Sequence, residues 1–162
     1  MDAYAQLIDD NDSLRALIQR WRSTPRNTAA LLPDTARALR TTAAAKEEVL
    51  YPAIRRHDPD RGALIDDAKR TNAHVEGFLS AAQRLGPDGP GFLDQAHSAA
   101  AAADELLLHE RRDLFPVLRG KSLRETELAR IVDRFHTARA MHEDDVEPPA
   151  RAAGRIGREG TH

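Results

Sequence analysis

Apolar side chains recur along most of the chain at steps of three and four, the spacing that gathers one face of an α-helix. The first such run covers residues 3–21, with Leu7, Leu14, Ile18 and Trp21 in line, and stops before Ser23-Thr24-Pro25. A second covers residues 27–57, weak at first and firm from Asp34, which is placed to cap the segment after Pro33. It carries Leu39, Val49 and Ala53 inward and ends at His57-Asp58-Pro59. The third begins after Arg61-Gly62, aligns Ile65, Ala68, Val75, Leu79 and Ala82, and is broken by Gly86-Pro87-Asp88-Gly89-Pro90-Gly91. The fourth spans residues 92–119 with Ala99, Ala103, Leu106, Leu114 and Val117 in register, and Gly120 marks its end. A shorter fifth helix over residues 122–142 presents Leu128, Ile131, Val132 and Phe135. Residues 1–142 are thus expected to form one domain, and residues 143–162, with Pro148-Pro149 and three glycines, a tail.

Two blocks recur in the same order. Leu50-Tyr51-Pro52 with Arg55 is repeated as Leu114-Phe115-Pro116 with Arg119. Upstream, Asn11 is followed by apolar residues three, six and seven positions on, and so is Asn72. The first two helices form one hairpin and the next two its copy. Short connections make neighbours antiparallel, so the expected fold is all-α, an up-down-up-down four-helix bundle with a fifth helix added.

Composition narrows the function. The 24 basic and 26 acidic residues are scattered, leaving a formal charge of -2 and no basic patch for nucleic acid. Cysteine is absent, which removes disulfides, thiolate metal sites and cysteine nucleophiles. The amino terminus lacks a cationic start followed by an apolar run, and no stretch reaches membrane-spanning length, so a cytoplasmic location with no membrane partner is expected. Oligomeric state is not readable.

Each apolar stripe is interrupted. Asn11 stands between Leu7 and Leu14, Thr42 and Lys46 between Leu39 and Val49, Asn72 between Ala68 and Val75, and Glu110 between Leu106 and Leu114. A polar group at a core position costs free energy unless it is paired, so five such residues spread over all four stripes call for a common cause. Measured from the interhelix connections they fall at one level, facing one place. Lysine is rare here, three of 24 basic residues, which makes Lys46 conspicuous as a compact charge at a core position.

With these motifs the chain resembles the hemerythrin-like family of diiron bundles, the HHE cation-binding domain, over about residues 5 to 119. The resemblance implies a histidine on the first helix and a His-x-x-x-Glu on the second, its Glu six residues before the Pro of Leu-aromatic-Pro, with the scheme repeated in the second pair. On that register this chain carries Asn11, Thr42, Lys46, Asn72 and Leu106 where the family has four histidines and a glutamate; Glu110 alone is retained. Amides, a hydroxyl, an alkyl chain and an ammonium cannot replace imidazoles and bridging carboxylates around two iron ions. No cofactor is therefore expected. Lys46 is placed to supply the missing positive charge opposite Glu110.

Three readings follow. In the first, the vacated interior is a metal-independent site for a small molecule, with Glu110 and Lys46 as catalytic groups and Asn11, Thr42, Asn72 and Leu106 lining it. In the second, the pair is filler in a non-catalytic association module. In the third, iron or oxygen is bound by displaced ligands such as His74, His109, Glu47 and Glu110. Helical geometry opposes the third, because His109 lies about 100° round the helix from Glu110.

Overall fold

The structure, a computed structural model, describes residues 2–145. Helix α1 (Ala3–Arg22) starts beneath Asp2, whose carboxylate accepts from the Ala5 N–H at 2.7 Å. Its last turn buries Trp21, whose indole N–H donates to the Thr28 carbonyl at 2.9 Å. The Thr28 hydroxyl returns a bond to the Trp21 carbonyl at 2.8 Å. That exchange fixes the corner to the short α2 (Pro25–Ala30), capped by Thr24.

Helix α3 (Leu32–Ala45) begins two residues before Asp34, so Asp34 is not the cap expected of it. Pro33 takes the first turn, where a missing N–H is no loss, and Asp34 follows it, where a negative charge suits the helix dipole. The second and fourth helices are also not the unbroken α-helices expected over 27–57 and 92–119. A π turn, Lys46–Leu50, joins α3 to α4 (Tyr51–His57); another, Glu110–Leu114, follows α6 (Phe92–His109) and leads into a 3-10 turn, Phe115–Arg119. Each π turn closes with a bond to the carbonyl five residues back, from Tyr51 N–H to Lys46 and from Phe115 N–H to Glu110. Proline is the cause in both places. Pro52 and Pro116 cannot donate to the carbonyl four residues back and their rings crowd it, so the preceding turn widens. The tight 3-10 turn also rotates Val117 off the stripe, leaving it only half-buried.

Helix α5 (Gly62–Leu85) runs into the expected Gly-Pro loop, where Gly86 and Gly91 hold φ of 73° and 86°. Helix α7 (Glu125–Asp144) starts three residues later than expected and ends two later. At 20 residues it equals α1 in length. The expected tail from residue 143 therefore yields two residues to α7, and beyond residue 145 it lies outside the described residues.

Helix α6 packs along α5 and against α1, α3 lies beside α1 and α5, and α7 covers α1, α3 and the first π turn. The interior divides into two apolar clusters. One gathers Leu7, Val49, Ile65, Leu114, Phe115 and Phe135; the other gathers Leu14, Trp21, Leu39, Val75, Phe92 and Ala103. Asn11, Thr42, Lys46 and Asn72 each fall in sequence between members of the two clusters, so the interrupting residues occupy the seam.

Candidate functional site

The two π turns deliver the charged residues of the seam, since Lys46 opens the first and Glu110 the second. Each stands six residues before its proline, and the two meet across the bundle. The Lys46 ammonium donates to Glu110 Oε1 at 2.7 Å with only 3% and 0% of the two residues exposed. The second carboxylate oxygen accepts from the Tyr51 hydroxyl, also at 2.7 Å, and Asn72 Nδ2 donates to that hydroxyl at 3.2 Å. Four side chains from three helices thus form one hydrogen-bonded chain. Burial pushes the Tyr51 phenol above its ordinary range, and the adjacent Glu110 charge and hydrogen bond push it the same way.

Two groups at the seam are not saturated by the described residues. Lys46 has three N–H donors and, among the described residues, one acceptor, Glu110. Asn11, 4% exposed, donates from Nδ2 to the Leu107 carbonyl at 3.2 Å, while its Oδ1 has no partner among the described residues. The amide cannot be turned over without setting Oδ1 against that carbonyl, so the orphan is the acceptor.

Three cavities adjoin the seam. The first, about 410 Å³, lies between α1, α3 and α7 and is lined by Leu7, Asn11, Thr42, Lys46 and Phe135 among others. The second, about 290 Å³, lies between α3, α5 and α6, with Thr42, Lys46, Asn72, Val75 and Leu106 in its wall. The third, about 370 Å³, is a groove between α5 and α6 that includes His74, Leu106 and His109; Glu110 contributes to its floor while remaining wholly enclosed. Of the six candidate residues, Lys46, Glu110 and Asn72 are brought into one network, and half-buried Thr42 stands one turn from Lys46. Asn11 bonds to α6 instead, and Leu106 is a buried wall residue. None of these three cavities touches all six.

Tyr51 escaped the sequence reading. Its signal was the pair of matching motifs, because Leu-aromatic-Pro carries Phe115 at the second occurrence, and a hydroxyl at a buried aromatic position needs a partner. The displaced ligands considered from sequence do not converge. His74, His109 and Glu47 are exposed, and His109 faces Glu105 at 3.8 Å. Among the described residues no group of three or more histidine, aspartate and glutamate side chains could hold a metal ion.

Residues 2–118 match the family model of the hemerythrin HHE cation binding domain. Comparison with curated proteins and with solved structures found no match. The donors present do not suit the iron pair such a domain implies. The seam offers one carboxylate, whose two oxygens are taken by an ammonium and a phenol, beside amide, hydroxyl and alkyl groups.

Proposed function

The chain belongs to the hemerythrin HHE cation-binding family, and on that premise we propose that its interior has become a metal-independent binding site for a small molecule, centred on Lys46. The observation that carries the reading is the enclosed 2.7 Å ion pair of Lys46 with Glu110, with Lys46 in the wall of two cavities. A covalently attached cation takes the place of a bound one, and its remaining N–H groups are free to meet a ligand. Glu110, enclosed and doubly bonded, suits a positioning role: it holds the ammonium in place, with Tyr51 and Asn72 holding Glu110. Lys46 is the group that meets the ligand. A bundle used purely for association would be expected to pack its seam, and cavities of a few hundred cubic ångströms favour occupancy instead.

The test is to purify the protein from iron-supplemented cells and analyse it twice. Metal analysis is expected to find iron far below two per chain, without oxo-bridge absorption. Mass spectrometry of a denatured extract is expected to find a small molecule near one per chain, lost in the double variant Lys46→Met/Glu110→Gln. Two iron ions per chain would overturn the reading.

A further inference from the structure

The second cavity meets the surface on one side. Its walls from α1 and α6, Leu14, Ala103, Leu106 and Leu107, are buried, whereas Ala73 and Glu76 of α5 are exposed and Ala43 and Ala44 of α3 are half-buried. The way in therefore lies between α3 and α5. These two helices pack on each other sparingly, while α5 packs extensively on α6. Ala43, Ala44 and Ala73 carry no side chain beyond Cβ, so the rim they form is low.

One residue ties the two helices across this gap. Arg40 Nε donates to Glu76 Oε2 at 2.6 Å, and its Nη2 donates to Glu76 Oε1 at 3.0 Å, to Gln83 Oε1 at 2.8 Å and to the Ser80 hydroxyl at 3.4 Å. Among the described residues, every side-chain hydrogen bond between α3 and α5 comes from Arg40. Glu47 and Lys69, the other charged residues on the outer part of the lining, make no ion pair among the described residues. Burial would raise the Glu76 carboxyl, yet the bonds from Arg40 and Ser80 hold it below its ordinary range, so the tie is ionised at neutral pH. It is also reversible. The Arg40 and Glu76 side chains are 33% and 50% exposed, so parting them returns both ions to water, unlike the enclosed pair of Lys46 and Glu110.

Resting on the binding-site reading above, we infer that the small molecule enters the second cavity between α3 and α5, past Ala43, Ala44 and Ala73, and that the Arg40–Glu76 pair is the latch holding this entrance narrow. The latch opens by local separation of two helices, without unfolding.

The chain has no cysteine, so a single introduced thiol reports access. Val75→Cys places it in the buried wall of this cavity, and Ala68→Cys places a control in the buried wall of the third. Labelling of each full chain with methyl methanethiosulfonate, followed by mass spectrometry, gives the two rates. Arg40→Met is expected to raise the Val75→Cys rate about tenfold relative to Ala68→Cys, the factor that about 1.4 kcal/mol of lost closure produces. Salt at about 1 M is expected to raise it likewise while Arg40 is present, and to have no effect in Arg40→Met, because screening weakens an exposed pair. Ala73→Phe, which fills the rim, is expected to slow it about tenfold. A Val75→Cys rate unchanged by Arg40→Met, an equal rise at Ala68→Cys, or indifference to Ala73→Phe would overturn the entrance. Each of these leaves the binding-site reading standing, because iron content and the co-purified small molecule decide that reading separately.

Discussion

Replacing Lys46 by methionine removes a charge while nearly conserving volume, which isolates the worth of the ion pair. At 2.7 Å, with an effective dielectric of about 20, the attraction is about 6 kcal/mol. Against it stands the desolvation of two enclosed ions, several kcal/mol each, so the intact pair contributes little net stability. The single variant is different because it keeps one ion's desolvation and loses the attraction. We expect Lys46→Met to cost about 3 to 5 kcal/mol. The Tyr51 hydroxyl, still donating to Glu110, holds the loss toward the lower figure. For a chain of this size each kcal/mol moves the melting temperature by about 2 to 4 °C, so the drop should be roughly 6 to 20 °C. Adding Glu110→Gln should recover most of the loss, because no uncompensated charge is then enclosed. Urea unfolding of wild type, both single variants and the double variant measures the coupling directly. Single-variant costs that add to within about 0.5 kcal/mol in the double would refute the pairing and the electrostatic account built on it.

Tyr51→Phe should cost about 1 to 3 kcal/mol by urea unfolding, since the enclosed Glu110 Oε2 loses its donor and the half-buried Asn72 Nδ2 its acceptor. The same hydroxyl predicts alkaline behaviour. Folding raises the Tyr51 phenol above its ordinary value near 10, so above about pH 10 the unfolded chain loses a proton that the folded chain keeps, and stability falls as pH rises. Titrated unfolding should show an added slope of about 1.4 kcal/mol per pH unit there, absent in Tyr51→Phe. Asn11→Leu should change ligand-free stability by under about 1 kcal/mol, measured the same way, because it deletes an orphan acceptor together with one bond to a carbonyl that the backbone already serves. Phe135→Ala should cost about 3 to 5 kcal/mol in the same assay if α7 is part of the core; a loss near zero would mean that α7 only rests on the bundle.

What the sequence made legible follows the kind of physics each feature depends on. Stripe positions such as Leu14, Ile18, Val75 and Leu79 are buried as expected because a helix's apolar face is set by local periodicity. The meeting of Lys46 with Glu110 was legible for a different reason, since both stand six residues before a proline in matching blocks. The π turns that present them were not, because a five-residue widening barely disturbs the apolar spacing on either side; Pro52 and Pro116 were the available cue. Tyr51 and Asn11 mark the limit. Whether a seam residue turns toward Glu110 or toward Leu107 depends on the rotation of packed helices, which no single helix's pattern encodes. The same holds for α7, whose apolar face was visible but whose seat over α1, α3 and the first π turn was not.

On the reading proposed here, the cavities and the ion pair have one origin. An imidazole is larger than the side chain of threonine or asparagine, so a bundle carrying Asn11, Thr42 and Asn72 at ligand positions loses volume on both sides of its centre. The backbone cannot close on the deficit, because each π turn is dictated by its proline and the two apolar clusters hold the helices apart above and below the seam. Lys46 fills the centre but not the flanks, which is where the two cavities touching it lie. The electrostatics follow the same division. A glutamate left alone in such a place would be an unpaired charge, and a lysine alone would be as costly; together they let the space persist without an ion. Asn11 keeps one enclosed acceptor with no partner among the described residues, and α7 closes the larger flank beside it, so the orphan lies where volume was lost.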